Sequence, residues 1–231
     1  GVEAIDNTGD VTVTNSNSFV NVKQVKGAVT LRNRFGKVSV SEVSQGVTIA
    51  NNNGGVGLLG AGGPSAVTNS FGPVMVNGVT GDLNVTSSNG SVDARGVSGA
   101  ATLTSSFSSI TFFDIGKKLS CTGSNGRISG SKVGDTAVIR NSFGAVELKD
   151  VGGAVEVENA NGKVLLQEVR GNAVARSRFG EIDAAGISGN ATLTTSNAPV
   201  KLARVTGIVD VRNSFGAVTV SGAGKGAKVI S

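Results

Sequence analysis

Residues Ala137–Gly153, AVIRNSFGAVELKDVGG, hold the unit that the rest of the chain repeats. Taking Phe143 as a centre and stepping by eighteen residues in both directions lands on Asn17, Phe35, Asn53, Phe71, Asn89, Phe107, Asn125, Phe143, Asn161, Phe179, Asn197 and Phe215. Asn and Phe alternate without exception, and no residue is inserted or lost across these twelve repeats. Self-similarity at a fixed short period is the sequence signature of a solenoid, in which each unit buries its apolar face only against its neighbours.

The rows around the centre show what each repeat is made of. Four places before it stands an aliphatic residue or Cys121, as in Val13, Leu31, Ile49 and Ile139, and six before it the row is again mostly apolar. Three places after it, Val or Ile occurs in every repeat from Val20 to Val218, and the rows five and eight after are largely apolar too. Spacings of two with polar residues between them are the strand period. Each repeat therefore holds two short strands, one before the centre and one after. Gly follows the centre in all repeats except those with Ser18, Ser108 and Ala198, and marks a corner where positive φ costs nothing.

Two places before the centre runs a polar row, including Asn15, Asn33, Asn51, Asn69, Ser87, Ser105, Asn141, Asn159, Ser177, Thr195 and Asn213. Stacked amides of this kind can hydrogen-bond along a ladder, which satisfies groups that would be costly to bury alone. The Phe and Asn centres are read as a structural ladder, with the Phe side chains in the core. Small residues six places before several Phe centres (Ser65, Ala101, Ala137, Ala173) are read as compensating for the ring volume. On that reading Phe143→Ala should cost roughly 3–5 kcal/mol.

A coil of eighteen residues would put Arg140, Glu158 and Arg176 side by side as an alternating-sign ladder. A coil of thirty-six would stack Arg140 directly on Arg176 and Arg212. The expected fold is all-β: a single-stranded parallel β-helix (β-solenoid) of twelve 18-residue repeats, one repeat per coil, with right-handed winding as the default. Six 36-residue coils are the alternative. Residues 1–231 are expected to form one continuous solenoid whose two ends are cut within a repeat, as in a segment of something longer.

Composition bounds the function. The chain has 35 Gly but only 3 Pro, one Cys, one Met, and no His, Trp or Tyr. Without His it lacks the commonest general base and metal ligand, and nothing calls for a cofactor or a metal. The net charge of +5 is spread along the chain without a basic run, which argues against nucleic acid as a partner. No stretch approaches the roughly 20 apolar residues of a transmembrane segment.

The alternating turns, NSFG at Asn69–Gly72, Asn141–Gly144 and Asn213–Gly216 with SSNG at Ser87–Gly90, lie between G-x-V-x-V strands. In these motifs the whole chain resembles the bacterial adhesin-type β-solenoid family, domains of unassigned function in envelope-associated and secreted proteins. The resemblance implies an extracytoplasmic bacterial protein and surface attachment, and it carries no catalytic residues with it.

A few outward side chains could do chemistry. Glu147 and Asp183 share an outward row, and Glu156 and Glu158 share a strand, so a polysaccharide-acting acid–base pair is conceivable. No Tyr or Trp platform accompanies them. Thr12/Thr14, Thr102/Thr104 and Thr192/Thr194, with Ser120/Thr122, could form an ice-binding array, but Glu156 and Glu158 interrupt it. Leu59, Met75 and Phe113 fall on outward rows and are candidate interaction residues. The expected function is a non-enzymatic surface or secreted solenoid acting as an adhesin-like scaffold, with a glycan or protein surface as partner. The alternative is a self-assembling filament built by self-association through open coil ends.

Overall fold

The protein, described here by a computed structural model covering residues 1–231, contains strands and no helix. It divides into two compact units, Gly1–Lys117 and Lys118–Ser231. In each unit the chain passes back and forth between two parallel sheets, and each strand pairs with the strand eighteen residues on.

In the first unit, the strands that precede the centres are Val11–Asn15, Val29–Phe35, Val47–Asn53, Ser65–Phe71, Leu83–Ser87 and Ala101–Ser105. Those that follow the centres are Val2–Asn7, Val20–Val25, Val38–Val43, Val56–Ala61, Val74–Val79, Val92–Val97 and Ile110–Ile115. In the second unit the preceding strands are Leu119–Gly123, Ala137–Phe143, Val155–Asn161, Ala173–Ser177, Ala191–Thr195, Val209–Asn213 and Ala227–Ile230. The following strands are Ile128–Val133, Val146–Val151, Val164–Val169, Ile182–Ile187, Val200–Val205 and Val218–Ala223. Each unit is thus a β-solenoid with eighteen residues per coil. The pairs Phe35↔Asn53, Asn53↔Phe71 and Phe143↔Asn161 put Phe beside Asn, as eighteen requires and thirty-six forbids.

The core lies between the two sheets of each unit and is filled by the inward rows. Val22, Leu31, Val38, Leu103, Ile139, Leu148 and Leu166 are essentially inaccessible, and Cys121 sits among them. Each such side chain contributes about 1.5–3 kcal/mol by leaving water. Phe112, five places after its centre, is the largest of the buried side chains.

The Phe centres, by contrast, are not in the core. Phe35, Phe71, Phe107, Phe143, Phe179 and Phe215 are between 47% and 72% exposed. The cause is the corner beside them. Asn33, Asn51 and Asn69, two places before their centres, are buried, and each donates Nδ2 to the carbonyl three residues on: Gly36 at 3.2 Å, Gly54 at 3.0 Å and Gly72 at 2.9 Å. The amide fills the inside of the bend, so the strand alternation ends there and the centre residue is thrown to the outside. The small residues six places before the centre therefore compensate for no Phe ring.

A second bend appears in the strand after the centre. The residue seven places on has positive φ in coil after coil: Gln24, Glu42, Gly60, Gly78, Gly96, Asp114, Lys132, Asp150, Glu168, Gly186 and Arg204. This left-handed residue inserts an extra step, so that inward residues fall five and eight places after the centre rather than five and seven. The opposite corner is held by side chains. Asp10, Asp82, Asn172 and Asn190 accept, through Oδ1, the backbone N–H of Ala28, Ala100, Asn190 and Ile208 in the next coil, each at 2.8 Å. No helix is long and apolar enough to cross a membrane.

Candidate functional site

The solenoid turns each repeat position into a row, so the surface is best described row by row. The outward row three places before the centre carries Arg140, Glu158 and Arg176 on neighbouring strands. Arg140 Nε lies 3.5 Å from Glu158 Oε2, and Arg176 Nη1 lies 3.8 Å from Glu158 Oε1 and 3.5 Å from Glu156 Oε1. The alternating-sign ladder read from the sequence is present. Arg140, Glu158, Arg176 and Arg178 border a shallow groove along this edge, together with Ser142 and Ser196.

The carboxylates considered for acid–base work are likewise engaged. Glu147 pairs with Arg127, and Leu165 stands between Glu147 and Asp183 in the register. Asp183 lies 3.2 Å from Lys163 Nζ. Glu181 joins the same cluster, 3.0 Å from Lys201 Nζ and 3.6 Å from Lys163 Nζ. The Lys201 hydrogen bond, aided by Lys163, holds the Glu181 carboxyl below its ordinary range although burial opposes it. These contacts tie each acid to a neighbouring coil. They bring no two carboxylates of the proposed pairs together except Glu156 and Glu158, which Arg176 bridges.

Leu59, Met75 and Phe113 are exposed by 57%, 60% and 41%. The register places Leu59 beside Ser41 and Asn77, Met75 beside Gly57 and Asp93, and Phe113 beside Arg95. Leu59 and Met75 are thus diagonal neighbours on adjacent strands, and Phe113 stands two coils beyond Met75. The outward Thr residues divide. Thr12, Thr14 and Thr102 are exposed on the first unit. In the second unit the same face carries Val138, Arg140, Glu156, Glu158, Val174 and Arg176 before reaching Thr192. No group of three or more His, Cys, Asp or Glu side chains is placed to hold a metal.

The feature missed in the sequence is the edge formed by the centres themselves. In the first unit Phe35, Asn53, Phe71, Asn89 and Phe107 follow one another coil by coil, and in the second Phe143, Asn161, Phe179, Asn197 and Phe215 do so. The backbone of this edge is fixed: the N–H groups of Asn89, Phe107, Phe143, Phe179, Asn197 and Phe215 all donate to carbonyls of the preceding coil at 2.9–3.2 Å. Gly on the far side of most centres was the available signal. A corner glycine marks a bend, and a residue at a bend has no reason to keep the strand's alternation. No protein-family model matches this chain, and neither the curated proteins nor the solved structures contain a match. The likeness to adhesin-type solenoids rests on the turn and core motifs alone.

Proposed function

We propose that this chain is a non-enzymatic, extracytoplasmic bacterial solenoid that serves as an adhesin-like binding scaffold. The observation that carries the reading is the fixed eighteen-residue register of the outward rows. A repeating ligand laid along a row meets an outward side chain at every strand spacing of about 4.8 Å, so weak contacts add along its length. The engagement of Glu147, Glu156, Glu158, Glu181 and Asp183 in ion pairs supports binding rather than hydrolysis.

The test is retention of the protein by immobilised envelope polysaccharides and by a glycan array at low salt. Retention without change in the polymer is the expected result. Release of reducing ends or of unsaturated products would overturn the non-enzymatic reading, and no retention on any surface would overturn the scaffold.

A further inference from the structure

We propose that the Phe–Asn edge of each unit is a single-file binding track for a neutral, extended β-1,4-linked hexose polymer. The inference rests on the binding-scaffold reading above and names its ligand class.

Three properties of the edge lead there. The first is spacing. Phe recurs every second coil, so consecutive rings are about 9.5 Å apart, close to the rise of one disaccharide in a two-fold β-1,4 chain. In such a chain every second sugar presents the same face. Phe35, Phe71 and Phe107 can then stack on alternate rings while Asn53 and Asn89 meet the hydroxyls of the sugars between them. Asn89 donates Nδ2 to the Ser70 carbonyl at 3.3 Å and Asn161 to that of Ser142 at 3.4 Å, which leaves each carboxamide oxygen as an acceptor for a hydroxyl.

The second property is width. Three half-exposed Phe rings offer about 300 Å² of apolar surface in one line, far below the roughly 800 Å² per partner of a stable protein interface. A second copy of the chain or another globular protein would gain little from it. A polymer one sugar wide would cover it fully.

The third is charge and relief. Phe71 stands between Ser70 and Gly72, Phe143 between Ser142 and Gly144, and Phe215 between Ser214 and Gly216. Small neutral neighbours leave both flanks low: directly beside the centres only Arg34 and Arg178 are charged, and of the cations two places after them Arg127 is paired with Glu147 and Lys163 with Glu181 and Asp183, leaving Lys37. A neutral ligand is favoured over a polyanion.

The experiment is calorimetric titration of the whole chain with cellohexaose and chitohexaose, with maltohexaose as the control whose α-linkage curls the chain off the track. The same titrations are run on the double variant Phe71→Asn, Phe107→Asn. Asn already occupies this corner in alternate coils, so the variant should keep its fold, checked by an unchanged melting curve. Binding of at least one β-1,4 hexaose at two sites per chain and none of maltohexaose are expected. In the variant the stoichiometry should halve, because removal of about 100 Å² of stacked apolar area per ring weakens the first unit's track at least about tenfold while the second unit's Phe143, Phe179 and Phe215 stay in place. Equal binding by variant and parent would overturn the track. So would a dimer in sedimentation that the variant abolishes, because the edge would then be a self-association surface. Retention on envelope polysaccharides with no binding to either β-1,4 hexaose would sink the track and leave the scaffold standing. No retention anywhere would sink both.

Discussion

Arg140 Nε lies 3.5 Å from Glu158 Oε2 although eighteen residues separate them, because Ala137–Phe143 pairs with Val155–Asn161 in parallel register. Arg176 completes the row on the other side of Glu158. The coil length thus decides which charges are neighbours, and one carboxylate separates two guanidinium groups.

Replacing that carboxylate by a cation, Glu158→Lys, would line up three positive charges on adjacent strands. The expected cost is about 1 kcal/mol at low ionic strength, the scale of exposed cross-strand pairs. In 1 M salt, where the screening length falls to about 3 Å, most of it should disappear. Denaturant melts at the two salt concentrations measure this directly. A cost that does not depend on salt would mean that Glu158 acts through packing rather than charge.

The exposed position of Phe143 makes a different claim about stability. Phe143→Ala should cost about 1 kcal/mol or less, since the ring is 54% exposed and only part of its apolar area leaves water on folding. Ile139→Ala, four residues earlier and fully buried, should cost about 2–5 kcal/mol. Chemical denaturation of the two variants side by side is the check, and equal losses would return the Phe to the core.

The same two residues show how far the sequence could be read. Ile139 belongs to a row whose apolar character is unbroken, and period two placed it inward correctly. Extending that period through Asn141 placed Phe143 inward as well, and there it failed. A corner is made by one side chain bonding a backbone carbonyl, and hydrophobic periodicity carries no record of that bond. The coil length could be read because charges report their neighbours: Arg140, Glu158 and Arg176 make sense only at eighteen. The positive-φ row had a weaker trace, in that the residue seven after the centre is always Gly or a long or acidic polar residue and never β-branched. The side-chain caps at Asp10, Asp82, Asn172 and Asn190 left none, because Ala, Gly and Pro fill the same row in other coils.

Asn51 tests the amide ladder. It accepts from Asn33 Nδ2 at 3.1 Å, and its own Nδ2 donates to Asn69 Oδ1 at 3.2 Å and to Gly54 O at 3.0 Å. Asn51→Ala would strand buried polar groups on both neighbouring coils, at about 1–3 kcal/mol for each group left unmet. Asn51→Ser should recover part of the loss, since Ser87 in the same row donates to the Gly90 carbonyl at 2.9 Å. Thermal unfolding of the pair measures the recovery. A serine variant no better than alanine would show that the ladder, and not the corner bond, is what holds the coil.

Cys121 lies in the inward row and is buried, and burial pushes its thiol well above the ordinary range. The reactive thiolate is therefore suppressed. The native protein should be inert to a thiol reagent at pH 8 and react with one equivalent once denatured. Rapid labelling of the native chain would mean that the coil around Leu119–Gly123 opens.

Two glycines separate steric need from open space. Gly72 has φ +104°, and an added Cβ would lie 2.7 Å from the carbonyl carbon and oxygen of Gly54 in the coil below. Gly72→Ala therefore meets a forbidden conformation and rigid backbone together, and a loss of at least about 2 kcal/mol is expected. Gly78 has φ +75°, yet the nearest atoms to an added Cβ are 3.7 Å away. Other coils hold Glu42, Lys132 and Asp150 in the same left-handed conformation at the same position. Gly78→Asn should therefore change stability by less than about 1 kcal/mol, since Asn tolerates that region better than most residues. Guanidinium melts of the two variants decide it. If both are equally damaging, then the row seven places after the centre needs glycine for a reason other than its backbone.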